Sequence, residues 1–112
     1  MSRKLEICCT SLNDARVACE CGADRIELCE DLSVGGVTPN TDLVRSVILN
    51  VKAPVFVLIR IRGGDFNFDD NEVEKMIGSI RAVKNLGVHG IVSGALNECG
   101  EINIEITKEM IN

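Results

Sequence analysis

Six cysteines, 17 acidic and 12 basic side chains and a single histidine are the residues of this 112-residue chain that could do chemistry, and their spacing sorts them. Glu6 and Cys8 are two positions apart, as are Glu27 and Cys29, and the segments Leu5-Glu6-Ile7-Cys8 and Ile26-Glu27-Leu28-Cys29 repeat one pattern. Side chains alternate along an extended strand, so each Glu–Cys pair shares a face while Leu5, Ile7, Ile26 and Leu28 point the other way. Neighbouring strands run about 4.8 Å apart, which would bring Cys8 and Cys29 near enough to share one ion. Soft sulfur donors suit Cu(I). The competing reading is that these small, weakly polar side chains simply pack.

A carboxylate in mid-strand needs a partner, and Arg60 and Arg62, again two apart at the end of an apolar run, are the expected ones. Carboxylates among arginines could also make an enzyme, with Glu6 or Glu27 as acid or base and Arg60 and Arg62 clamping a small anionic substrate. A structural ion-pair network would use the same residues. The glycine pairs Gly35-Gly36 and Gly63-Gly64 could shape loops around a phosphate or carboxylate, but no nucleotide motif is present. Cys9 should face away from Cys8. Cys19 and Cys21 fall about 200° apart around a helix, unlike a zinc knuckle, and Cys99 sits in the turn Asn97-Glu98-Cys99-Gly100 without an evident partner. With His89 alone, sites built on several histidines and a Ser/His/Asp triad are disfavoured, and His89 reads as structural.

The elements that must position these groups follow from periodicity. Short apolar runs at Leu5–Cys8, Arg25–Cys29, Val55–Ile61 and Gly90–Ser93 read as parallel, covered strands. Between them run helical patterns. The first spans Leu12–Cys21, with Ser11 as its cap and Gly22 closing it. The second opens at Thr38-Pro39, carries Leu43, Val44, Val47, Ile48 and Val51 on one side, and ends before Ala53-Pro54. The third is capped by Asp69 or Asp70, places Val73, Met76, Ile77, Ile80 and Val83 at helical steps, and stops at Gly87. A last segment, with Ile102, Ile104 and Ile106 alternating but Ile102, Ile106 and Met110 in helical register, reads as a helix from about Asn103. Four strand–helix units with parallel strands give either an open doubly wound sheet or part of a (β/α) barrel, and strand-borne glutamates point to a polar barrel lumen.

Composition narrows the function. A net charge of −5 and three Phe with no Trp or Tyr argue against nucleic acid as a partner. The longest wholly apolar run, Ala53 to Ile59, contains Pro54 and is too short for a membrane span. Met1-Ser2-Arg3-Lys4 could begin an export signal, but Glu6 interrupts it before an apolar core develops. The chain therefore reads as cytosolic, with reduced thiols.

The blocks Leu5-Glu6-Ile7-Cys8-Cys9, Gly22-Ala23-Asp24-Arg25-Ile26-Glu27-Leu28-Cys29, Gly35-Gly36-Val37-Thr38-Pro39 and Arg60-Ile61-Arg62-Gly63-Gly64-Asp65-Phe66, in this order, resemble the CutC copper-homeostasis family. The resemblance continues through Gly94-Ala95-Leu96. It implies a TIM-type barrel and copper as cargo, with Cys8 and Cys29 as the ligands. A complete (β/α)₈ barrel takes roughly 250 residues, so residues 1–112 read as a single partial domain: the N-terminal half, four β/α units. The family's later Phe-His-Arg-Ala-Phe-Asp motif has no counterpart here, Ile61 replaces a usual proline, and Asn103 stands where an aspartate is common. Three functional readings follow: a copper-homeostasis protein binding Cu(I), a barrel enzyme of unknown substrate, and an inactive fragment. Half a barrel leaves strand edges open, which predicts a homo-oligomer or a complementing half-barrel.

Overall fold

In a computed structural model that describes residues 3–112, the chain forms four strands alternating with four α-helices, with a short 3₁₀ turn at Leu32–Val34 before the second of them. Met1 and Ser2 of the basic N-terminal tetrapeptide lie outside the described residues. The strands are β1 (Glu6–Cys9), β2 (Arg25–Leu28), β3 (Val55–Ile59) and β4 (Gly90–Ser93), each followed by a helix: α1 (Leu12–Glu20), α2 (Thr41–Asn50), α3 (Asp70–Asn85) and α4 (Ile104–Ile111). All pairings are parallel and the spatial order is β1-β2-β3-β4. A doubly wound sheet reverses its strand order partway. Here it never reverses, and successive helices pack against one another in one continuous layer, which is the arrangement of half a (β/α)₈ barrel.

Parity assigns the two faces. Ile26, Leu28, Val55, Val57 and Ile59 are fully buried beneath the helices against Ala15, Val44, Val47, Met76 and Val83. Each such aliphatic contributes roughly 1.5–3 kcal/mol on burial, so this interface holds the sheet to its helices. The residues between them, Glu6, Cys8, Arg25, Glu27, Phe56, Leu58 and Val92, lie on the opposite, lumenal face and remain partly or wholly accessible. Leu5 falls outside β1 and is 57% exposed rather than packed under a helix.

The helix ends follow their local chemistry, with one correction. Ser11 accepts the Asp14 N–H at 3.0 Å, and Gly22 leaves α1 at φ +99°. Asp69, not Asp70, caps α3 in a reciprocal box with Glu72. Asn103 caps α4 as expected. The second helix, however, begins at Thr41 under Asn40, whose side chain accepts the Leu43 N–H at 2.8 Å, and not at Thr38-Pro39. The Thr38 hydroxyl is committed elsewhere: it accepts the Arg60 N–H at 2.9 Å and can donate to the Arg60 carbonyl. The loop after β2 is thereby tied to the end of β3. β3 itself stops at Ile59, two residues before the sequence pattern suggests, because Arg60 turns into this loop network.

Candidate functional site

Register brings the repeated Glu–Cys motifs together but staggers them. Cys8 pairs with Glu27 and Glu6 with Arg25, so Cys29 lies one step beyond, past the end of β2. The Cys8 and Cys29 sulfurs nevertheless approach to 3.9 Å. Cys8 is exposed; Cys29 is buried beneath the turn at Gly36, where an added Cβ would sit 3.7 Å from the Cys29 sulfur. Gly36 has φ +97°, so glycine permits both the turn and its closeness to the thiol. Cys9, on the other parity, is buried in the core with its sulfur 3.6 Å from the Ile7 carbonyl. Cys19, Cys21 and Cys99 have no sulfur partner among the described residues.

The electrostatics of this cluster favour protonated groups. Burial, then the Glu27 carboxylate, pushes the Cys8 thiol above its ordinary range. Cys29 is raised to about 12 by burial and by its neighbour Cys8, and Cys9 to about 11 by burial and Asp14. Glu27 is also held above the ordinary carboxyl range, by burial and by the adjacent Glu6, with Arg25 opposing. Among the described residues no group of three or more His, Cys, Asp or Glu side chains is arranged to hold a metal ion. What the site offers is a soft two-sulfur pair beside a carboxylate.

The arginines differ from the sequence expectation. Arg60 and Arg62 do not meet Glu6 or Glu27. Glu6 is paired by Arg25, whose Nε donates to it at 2.5 Å while the guanidinium stacks 4.4 Å over the Phe56 ring. Phe56 in turn lies on Gly90, where a Cβ would fall 2.5 Å from the ring, so a floor of glycine, ring and guanidinium positions the carboxylate. Arg60 is buried and donates to the Val34, Gly36 and Gly64 carbonyls at 2.8–3.1 Å. Arg62 donates to Glu72 at 2.5 Å and to Asp65 at 3.1 Å. Both arginines fasten loops because β3 ends before them and strand parity no longer aims them at the lumen. Arg25, two residues before Glu27 and so on its face of the strand, is the lumenal cation that the sequence reading missed. His89 is structural, its Nδ1 accepting the Val55 N–H at 3.1 Å.

A one-sided parallel sheet backed by helices, with a thiol pair and carboxylates on its open face, defines half of a (β/α)-barrel protein whose thiol pair lies at the C-terminal strand ends, where such barrels place their sites. Comparison with known proteins makes this particular. The CutC family model matches residues 3–112, and the chain belongs to the CutC family. It is 46% identical over 107 residues to the human copper homeostasis protein cutC homolog, covering 96% of this chain and 39% of that protein. It is 42% identical over 108 residues to a CutC family protein of Pasteurella multocida, covering 96% and 44%. The chain thus spans less than half the length of these relatives. The crystal structure of a Streptococcus agalactiae copper homeostasis protein CutC superposes with a TM-score of 0.90 at 28% identity, covering 97% of this chain and 54% of that one. No helix among the described residues is long and apolar enough to cross a membrane.

Proposed function

We propose that this chain serves copper homeostasis in the cytosol by binding Cu(I) between the Cys8 and Cys29 thiolates. The observation that carries the reading is the 3.9 Å approach of two sulfurs at the strand ends, in a member of a family whose named relatives are copper homeostasis proteins. The donor set fits the cargo: two thiols without histidine or further sulfur select a soft, low-coordinate ion over zinc or magnesium. Glu27, across the register from Cys8, sets a carboxyl oxygen donor beside the pair on the open face. Cys29 supplies a buried sulfur held by the Gly36 turn, and Cys8 the accessible one that a donor molecule meets first.

The enzyme alternative loses its anion clamps, since Arg60 and Arg62 are spent on loop carbonyls and on Glu72. Glu6 and Glu27 remain as its only candidate acid and base. If a second copy or a complementing half-barrel supplies the other half of the barrel, the two sulfurs lie at the mouth of a closed lumen.

An anaerobic Cu(I) competition titration against a calibrated chelator tests the copper reading, comparing the protein with a Cys8→Ser/Cys29→Ser variant matched for folding by circular dichroism. One tight equivalent, absent from the variant, is expected. Equal binding by both proteins would return the cysteines to a packing role.

A further inference from the structure

The Cys8–Cys29 contact is the only sulfur–sulfur contact within hydrogen-bonding reach among the described residues, and its two members differ in access. Cys8 is open to solvent on the lumenal face. Cys29 is covered by the Gly36 turn and the end of β1, its sulfur 3.9 Å from the Cys9 carbonyl. Access and distance order the pair: a small disulfide reaches Cys8 first, and Cys29, with its sulfur 3.9 Å away, is placed to complete the exchange. We propose that Cys8 and Cys29 form a reversible dithiol–disulfide couple driven by low-molecular-weight disulfides, with Cys8 the attacking and Cys29 the resolving thiol. As regulation of a copper site this rests on the copper reading, because closing the bond removes both donors; as thiol chemistry it stands apart from it.

The exchange balances in two steps. The Cys8 thiolate attacks one sulfur of the small disulfide, breaks its S–S bond, and expels one thiolate, leaving a mixed disulfide on Cys8. The Cys29 thiolate then attacks the Cys8 sulfur, forming the Cys8–Cys29 bond and expelling the second small thiolate. Two protein thiols are oxidised and one small disulfide is reduced to two thiols, which take up the two protons the cysteines release. Excess small thiol runs the sequence backwards. The bond joins strands already hydrogen-bonded through Cys29 N–H and the Cys9 carbonyl at 3.1 Å, so closing it leaves the sheet register unchanged.

The test is incubation of the protein with oxidised glutathione under argon, quenching with an alkylating agent, and peptide mapping with fragmentation that separates Cys8 from Cys9. The expected result is a Cys8–Cys29 link consuming two of the six thiols and reversed by reduced glutathione. Access sets the order, so Cys29→Ser should stall as a glutathione adduct on Cys8, whereas Cys8→Ser should leave Cys29 unmodified. Oxidation confined to the exposed Cys21 and Cys99, or adducts on Cys29 ahead of Cys8, overturns the proposal. A link that forms in a protein without Cu(I) affinity overturns the copper reading alone, and tight Cu(I) binding without the link overturns the redox couple alone.

Discussion

Loading Cu(I) at Cys8 and Cys29 must displace two thiol protons, because burial and the neighbouring Glu27 hold Cys8 above its ordinary range and burial raises Cys29 to about 12. The bound state therefore carries fewer protons than the free one, and apparent affinity must rise with pH. With both thiols protonated throughout pH 6 to 8, each released proton contributes about tenfold per pH unit, so the expected gain is about 100-fold per unit. Competition titrations across that range, corrected for the chelator's own titration, measure the slope; a flat profile would show that the thiols are not the ligands. The sulfur pair itself was legible, since period two and the repeated Leu-Glu-Ile-Cys pattern put both cysteines on one face. What parity could not supply was the stagger that pairs Cys8 with Glu27 and Glu6 with Arg25, because the relative shift of two strands is set by the helix and turns joining them. Arg25 went unrecognised for a related reason: it opens β2, where its role as the Glu6 partner depends on register and on the Phe56 ring beneath it.

At the scale of elements, Arg60 works as a clasp between the loops that follow β2 and β3. Its guanidinium donates to Val34, Gly36 and Gly64 carbonyls and stacks 4.7 Å over Phe66. Arg60→Met keeps the apolar stem but leaves those carbonyls without their charged donor, at an expected cost of about 2–4 kcal/mol. Denaturant melts measure the loss, and hydrogen exchange should quicken first in residues 32–36 and 63–66; uniform exchange would deny Arg60 this role. The start of α3 gives a second, pH-dependent case. Hydrogen bonds from Arg62 and the Asp69 N–H hold the Glu72 carboxyl below its ordinary range. A depressed carboxyl stabilises the fold above its unfolded pKa, and that contribution is lost as pH falls through the folded value. Glu72→Gln can keep the Asp69 cap bond but not the charge, so it should lower the melting temperature at pH 7 and match the parent in acid. A gap that persists at pH 2 would assign the effect to packing. The same elements show where sequence pattern stops. Helical periodicity and capping residues located α1, α3 and α4, but Thr38-Pro39 resembles a helix start while its hydroxyl is committed to Arg60, 22 residues away. A local pattern cannot register that competition.

For the molecule as a whole, the sequential strand order leaves the outer edges of β1 and β4 without strand partners among the described residues. Unpaired strand edges recruit further strands unless they are blocked, and neither edge carries a proline. The lumenal face adds Phe56, Leu58 and Val92, half-buried side chains that a closed barrel would cover from the opposite side. Glu6 is already paired there with Arg25, which leaves Glu27 as the lumenal carboxyl that an approaching partner has to accommodate. Relatives that this chain covers to only 39–44% have the length to close such a barrel within one polypeptide. If these 112 residues pair with a second copy, a two-fold pair of halves would match the β1 edge of each copy to the β4 edge of the other. Light scattering at micromolar concentration is therefore expected to give a mass about twice the 12.2 kDa of one chain, falling on dilution as edge pairing reverses. Charge placed on the exposed edge should shift that balance: Leu5→Lys, at a 57% exposed position just before β1, is expected to favour the single chain if β1 is the pairing edge. A folded protein that scatters as one chain at every concentration would mean that the edges are blunted by other means and that the half-barrel stands alone.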